Sequence, residues 1–148
     1  MTVHYSTEIH LKKRVLVVCT GNSCRSQMGE GFINGLWGDG YEGYSAGTKP
    51  SSLNRRAIEA MAEIGIDISG QRSKSVDEFV GKSWDLVVTV CDDAAENCPY
   101  IAGAKQTVHM PVPDPAEFTD LPDEQALPHF RQARDLLRAK LEVLLRTA

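Results

Sequence analysis

Residues 14–26, RVLVVCTGNSCRS, join an apolar run to a loop of small polar residues. The run Val15 to Val18 is apolar and, apart from Leu16, β-branched, which predicts a buried strand ending at Cys19. The glycine and asparagine that follow tolerate unusual backbone angles. An amphipathic stretch begins just beyond Ser26 and predicts a helix. The stretch therefore predicts the order strand, loop, helix.

Such a loop points successive backbone N–H groups into one concavity at a helix N-terminus, where the helix dipole favours a tetrahedral oxyanion. Arg25 adds a fixed charge and a planar set of donors. The same field favours thiolate over thiol at Cys19, which makes this sulfur the candidate nucleophile. The predicted oxyanion-binding loop consists of Thr20, Gly21, Asn22, Ser23, Cys24, Arg25 and Ser26.

The length and composition predict one globular domain, residues 1–148, with residues 1–12 as an N-terminal extension. A net charge of −4 provides no overall basic field, which argues against nucleic acid as the main partner. The sequence shows neither a signal-peptide pattern nor an apolar segment long enough to span a membrane, so we expect a cytoplasmic protein without a membrane partner.

The remaining hydrophobic pattern alternates strands with helices. We expect strands at 41–46, 84–90 and 106–110, helices after the loop, at 57–64 and from 124 onward, and a short helix near 76–80. Ser51 or Ser52 is the expected cap of the second helix. This order predicts an α/β fold of three layers, with a central four-stranded parallel sheet and helices on both faces.

Three reactive groups follow three of these strands. Cys19 ends the first strand, Cys91 ends the third, and Asp114 lies just past the fourth. Because ligands bind beyond the carboxyl ends of parallel strands, we expect the three groups to meet at one edge of the sheet. A thiolate that attacks an oxyanion needs a proton donor for the leaving oxygen, and Asp114, held between two prolines, is the candidate acid.

The segment Cys19 to Met28 resembles the phosphate-binding loop of low-molecular-weight protein tyrosine phosphatases, and most specifically that of the thioredoxin-coupled arsenate reductases with the same fold. The resemblance covers nearly the whole chain from Lys13, and Asp114-Pro115 matches the general-acid loop. It implies a Cys19 adduct with arsenic, attack on it by Cys91, release of arsenite, and transfer of the disulfide to Cys98, which thioredoxin reduces. The implied catalytic residues are Cys19, Arg25, Asp114, Cys91 and Cys98.

The segment between Cys91 and Cys98 is short, lacks a large apolar face and stops at Pro99, so we expect it to be marginally stable. Weak local structure would let Cys98 reach Cys91. For Cys24 we favour a structural role, with a reactive one left open. Ser26 is expected to donate its hydroxyl to the Cys19 thiolate, as the matching serine does in the family.

Some members of the reductase family hold a potassium ion behind the loop with residues that match Asn22, Glu30 and Ser45. Here Lys74 stands at the acidic position of that set. We expect either that its ammonium replaces the ion or that it is a solvated surface lysine. No metal and no cofactor are predicted.

Two other functions stay open at this stage. A tyrosine phosphatase would use the same loop to bind phosphate, although the acid loop lacks the adjacent tyrosines typical of those enzymes. A reductase could also keep weak phosphatase activity, because phosphate and arsenate are alike in shape and charge. A thiol sensor would use Cys19 and Cys91 without turnover. The reductant is also open, because glutaredoxin or mycothiol serve related enzymes, but three ordered cysteines favour thioredoxin.

Overall fold

The strand that ends at Cys19 occupies an interior position of a four-stranded parallel sheet. The computed structural model describes residues 11–91 and 100–147. The strands are β1 (Lys13–Cys19), β2 (Tyr41–Gly47), β3 (Leu86–Thr89) and β4 (Thr107–His109), and their order is β2-β1-β3-β4 with every pair parallel. Buried β-branched residues explain the position of β1, because a strand paired on both sides is covered on both faces. The predicted α/β sheet is confirmed.

The helices are α1 (Arg25–Leu36), α2 (Arg55–Ala62) and α3 (Asp123–Thr147). Short 3-10 helices span Val76–Phe79 and Pro115–Phe118. All three α-helices were predicted, as was the short helix near residue 76.

The two faces of the sheet are covered unequally. On one face, Val15 and Val17 belong to the larger core cluster with Phe32 of α1, Met61 of α2 and Leu137 of α3. The other face has a smaller cluster built on Leu16, Val18, Ala46, Trp84 and Val87, against which Tyr44, Val76, Phe79, Ile101 and Ala104 pack. Helical segments therefore contact both faces, but the three α-helices share the larger cluster and a 3-10 helix contributes to the smaller one.

The start of α2 differs from the sequence prediction. Its N-cap is Asn54, whose side chain accepts a hydrogen bond from the Arg56 N–H, so the expected cap at Ser51 or Ser52 is wrong. The reason is that the preceding residues bond to the oxyanion loop: the Ser51 N–H donates to the Gly21 carbonyl at 3.0 Å. The helix begins only after this extended stretch.

Some sequence predictions fall outside the residues that the structure describes. They concern most of the N-terminal extension, residues 1–10, and the segment 92–99, which includes Cys98. Within the described ranges, no helix combines the length and the apolar character needed to cross a membrane.

Candidate active site

The Cys19 sulfur lies at the base of the loop that joins β1 to α1. Cys19 is 2% exposed, and its Sγ is 2.8 Å from Ser26 Oγ. The Asn22 side-chain amide donates to the same Ser26 oxygen at 2.7 Å. Because that oxygen already accepts a hydrogen bond, the Ser26 hydroxyl is oriented to donate its proton to sulfur, which stabilises the thiolate.

Asn22 gives the loop its shape. Its φ of 47° lies in the left-handed region, which asparagine tolerates better than most residues. Its Oδ1 accepts hydrogen bonds from Gln27 Nε2 at 3.0 Å and from the Lys74 N–H at 2.7 Å. Gly47 at the end of β2 packs against the loop so closely that a Cβ there would collide with the Thr20 carbonyl oxygen. The loop is therefore held from behind by neighbouring segments.

The Arg25 guanidinium is fixed by the ends of two strands. Nη1 donates to the carbonyls of Val90 and Val112, each at 3.1 Å, and these residues lie just beyond β3 and β4. Nη2 lies 3.3 Å from Asp114 Oδ2. The side chain is buried, so its charge is presented in a low-dielectric setting with little freedom to move.

Asp114 uses its two carboxylate oxygens differently. Oδ1 accepts a hydrogen bond from the Ala116 N–H at 3.0 Å and caps the 3-10 helix Pro115–Phe118, while Oδ2 faces Arg25. The side chain is 43% exposed, so solvent reaches the carboxyl. A residue that only formed the turn would make the bond to Ala116, whereas the contact with Arg25 also places this carboxylate at the oxyanion loop.

These groups surround a cavity of about 380 Å³. Its lining residues are Cys19, Thr20, Gly21, Ser23, Cys24, Arg25, Thr48, Lys49, Asp114 and Ala116. Of the predicted loop residues, Asn22 and Ser26 do not line the cavity and support it from behind.

Lys49 is exposed and adds a second positive charge to the lining. Sequence reasoning missed Lys49, because a lysine in a turn carries no pattern that marks it.

Cys24 lines the cavity but differs chemically from Cys19. Burial raises the pKa of the Cys24 thiol to about 12, despite the hydrogen bond from Ser23. Cys24 therefore stays a neutral thiol at physiological pH and packs in the larger core cluster. This geometry agrees with the structural role favoured for it.

Cys91 follows β3 at the same sheet edge. The Val90 N–H donates to the Val18 carbonyl at 3.0 Å, so Val90 continues the pairing with β1 and Cys91 comes next along the chain. Cys91 is fully buried and disulfide-bonded, whereas Cys19 and Cys24 are free thiols. Cys98 lies outside the described residues. The three groups expected at the carboxyl edge, from β1, β3 and the loop after β4, are therefore all found there.

Lys74 lies behind the loop with Glu30 and Ser45. Its ammonium is 3.4 Å from Glu30 Oε1 and donates to the Arg72 carbonyl at 2.8 Å, and Ser45 Oγ donates to the same Glu30 oxygen at 2.6 Å. The Lys74 side chain is 10% exposed, so it is not a solvated surface lysine. Its main-chain N–H, rather than its ammonium, binds Asn22.

The site combines a buried thiol that has a hydroxyl donor, a fixed guanidinium and a nearby carboxylate, all at the C-terminal ends of parallel strands. These features define a class of proteins that bind a tetrahedral oxyanion and attack it with sulfur. The model of the low molecular weight phosphotyrosine protein phosphatase family matches residues 14–148. The chain belongs to that family.

Within the family, the chain is similar to proteins named arsenate reductase. The one from Staphylococcus aureus strain N315 is 45% identical over 133 residues, which cover 88% of this chain and 95% of that protein. The one from Halalkalibacterium halodurans is 42% identical over 136 residues, which cover 92% and 97%. A solved arsenate reductase in a phosphate-binding state superposes with a TM-score of 0.77 at 33% identity, covering 91% of this chain and 98% of that one.

Proposed function

We propose that this protein is an arsenate reductase that delivers two electrons from its own cysteines. The relatives named above support arsenate as substrate, and the cavity supports an oxyanion of this shape and charge. The observation that carries the proposal is the meeting of two different sulfurs at one sheet edge: Cys19 as a free thiol with a hydrogen-bond donor, and Cys91 in a disulfide.

The first step is attack of the Cys19 thiolate on arsenate. A sulfur–arsenic bond forms, the bond from arsenic to one hydroxyl group breaks, and that hydroxyl leaves as water after taking one proton from Asp114. Asp114 Oδ2 lies 3.3 Å from Arg25 Nη2, so the group that binds the anion also holds the carboxyl next to the leaving oxygen. Arg25 stabilises the charge of the bound anion because its own position is already fixed by main-chain carbonyls.

The electrons then leave through sulfur. The Cys91 thiolate attacks Cys19, a disulfide forms, the sulfur–arsenic bond breaks, and its electron pair stays on arsenic, which leaves as arsenite. Cys98 attacks Cys91, displaces the Cys19 thiolate and leaves a Cys91–Cys98 disulfide for thioredoxin to reduce. A free Cys19 beside a disulfide-bonded Cys91 is what the end of this sequence would look like. Thioredoxin and a reducing cytoplasm belong to this proposal.

The test is arsenate-dependent oxidation of NADPH with thioredoxin and thioredoxin reductase. We expect turnover by the wild type and by Cys24→Ser, and none by Cys19→Ser, Cys91→Ser or Cys98→Ser. Replacing thioredoxin with glutaredoxin and glutathione, or with mycothiol, identifies the reductant. Turnover by Cys91→Ser at the wild-type rate would refute the cascade, and the absence of arsenate-dependent oxidation with every reductant would favour a sensor.

Phosphatase activity is the second candidate, because the oxyanion site serves phosphate as well. Support comes from the match to the phosphotyrosine phosphatase family over residues 14–148. Phe118 and Thr119 stand in the acid loop, which lacks adjacent tyrosines to receive an aromatic substrate. We expect slow hydrolysis of p-nitrophenyl phosphate that Cys91→Ser retains and Cys19→Ser loses, because hydrolysis needs one thiol.

We also infer that the Lys74 ammonium takes the place of a potassium ion behind the loop. The residues present do not fit a bound cation, because the Glu30 carboxylate oxygen that would bind it already contacts Lys74 and Ser45. Potassium is expected to leave wild-type turnover unchanged and to stimulate Lys74→Gln. Strong stimulation of the wild type would contradict the inference.

A further inference from the structure

Asn54 contacts both loops of the active site. Its main-chain N–H donates to the Ser23 carbonyl at 3.0 Å, and Ser23 belongs to the oxyanion loop. Its side-chain Nδ2 donates to Thr119 Oγ1 at 2.9 Å, and Thr119 follows the 3-10 helix that Asp114 caps. One residue therefore spans from the loop that holds the nucleophile to the segment that holds the carboxyl.

The contact with Thr119 continues to Asp114 through two more hydrogen bonds. The Thr119 hydroxyl donates to the Ala116 carbonyl at 2.6 Å, and the Ala116 N–H donates to Asp114 Oδ1 at 3.0 Å. Ala116 itself lines the cavity. A displacement of Thr119 is thus passed to the carboxyl through a single short turn.

Arg56 holds the far end of the same segment. Its Nε donates to the Thr119 carbonyl at 3.2 Å, its Nη2 donates to the Leu121 carbonyl at 2.9 Å, and its Nη1 pairs with Asp123. Arg56 is 4% exposed, so it fixes the backbone after the 3-10 helix as a buried anchor. With that backbone held, the hydrogen bond from Asn54 to the Thr119 hydroxyl sets how the turn faces the oxyanion loop.

We propose that Asn54 is a positioning residue that holds the Asp114 carboxyl at the Cys19 site through Thr119 and Ala116. The proposal rests on the acid role proposed above for Asp114. The Asn54 side chain does not line the substrate cavity, and its Nδ2 acts on the site through Thr119, Ala116 and Asp114, whereas the main-chain bond to Ser23 is kept in every side-chain variant.

The alternative is that Asn54 only caps α2. The two roles use different atoms: Oδ1 accepts from the Arg56 N–H at 2.8 Å for the cap, whereas Nδ2 reaches Thr119. Asn54→Ser keeps a good N-cap but is too short to reach Thr119. Thr119→Val keeps the Asn54 cap entirely and removes the hydroxyl that connects it to Ala116. These two variants separate the cap from the connection.

The experiment measures single-turnover arsenite formation by the pre-reduced full chain, without thioredoxin, as a function of arsenate concentration and pH. The variants are Asn54→Ser, Thr119→Val, Asp114→Asn, and each of the first two combined with Asp114→Asn. We expect Asn54→Ser and Thr119→Val each to slow the maximal rate about three- to tenfold. The arsenate concentration for half-maximal rate should stay within about twofold, because the anion-binding groups are untouched.

In the Asp114→Asn background, Asn54→Ser and Thr119→Val should have no further effect, because the group through which they act is gone. Two results would overturn the positioning role alone. One is that the variants slow the maximal rate by the same factor with Asp114 present and in the Asp114→Asn background. The other is that the rates of both variants fall in proportion to a lowered midpoint of thermal unfolding. An Asp114→Asn protein with the wild-type rate and pH profile would overturn the acid role of Asp114, and the positioning role with it.

Discussion

Ser26→Ala tests how the loop activates its thiol. The change removes the hydroxyl 2.8 Å from the Cys19 sulfur and leaves the backbone of α1 intact. A hydrogen bond to a charged group stabilises it by about 1.5 to 3 kcal/mol. At 1.36 kcal/mol per factor of ten, the thiolate loses a factor of about 10 to 100 in stability. Because a less stabilised thiolate is a stronger nucleophile, the reactivity at neutral pH falls by less, about 3- to 10-fold. The Asn22 amide loses its acceptor at the same time, which adds to the cost.

The assay is the rate of Cys19 alkylation by iodoacetamide at pH 7, in a background with Cys91→Ser and Cys98→Ser. Cys24 does not interfere, because burial raises the pKa of its thiol to about 12 and keeps it protonated at pH 7. Ser23→Ala is the matched control, since its hydroxyl contacts Cys24 rather than the Cys19 sulfur. We expect the control to react like the parent and the Ser26→Ala variant to react more slowly at pH 7. A Ser26→Ala rate equal to the parent at pH 7 would refute the reasoning.

Three further predictions concern Cys24 and Lys49 in the lining of the cavity and Glu63 outside it. Cys24→Ala should keep arsenite formation within about threefold, because this thiol packs in the core, while lowering the free energy of unfolding by about 1 kcal/mol; loss of single turnover would contradict that. Lys49→Gln should raise the KM for arsenate several-fold at low salt and less at high salt, as screening removes the attraction; an unchanged KM would exclude this role. Arg131 and then Arg134 lower the pKa of Glu63 to about 2, so Glu63→Gln should lower the free energy of unfolding by roughly 1 kcal/mol at pH 7. That difference is fully present above the unfolded pKa and should shrink between about pH 4.5 and 2, as acid denaturation curves would show.

Much of the fold was predictable because its signals are local. The apolar run in β1 and the helical spacing of Met28 and Phe32 depend on neighbours in sequence, and both elements are found where they were expected. The placement of Cys19, Cys91 and Asp114 at one edge of the sheet followed from a general rule, since residues after parallel strands meet at the same edge.

Other features had no sequence signal. The acceptors that fix Arg25 are main-chain carbonyls of Val90 and Val112, and any residue could supply them. In the sequence, Asn54 is one polar residue among several in a turn. Thr119, which accepts the hydrogen bond from its side chain, is 65 residues away along the chain. Long-range polar contacts of this kind depend on the finished packing, so the sequence pattern could not reveal them.

The central claim is that arsenate is reduced by electrons from three cysteines that act in order. Its most direct test mixes pre-reduced protein with arsenate in the absence of thioredoxin and maps disulfides by mass spectrometry. The wild type should release one arsenite per chain and carry a Cys91–Cys98 disulfide, while Cys98→Ser should stop with Cys19 joined to Cys91. Arsenite release by Cys91→Ser, or a wild type that releases arsenite and keeps all its thiols, would contradict the account.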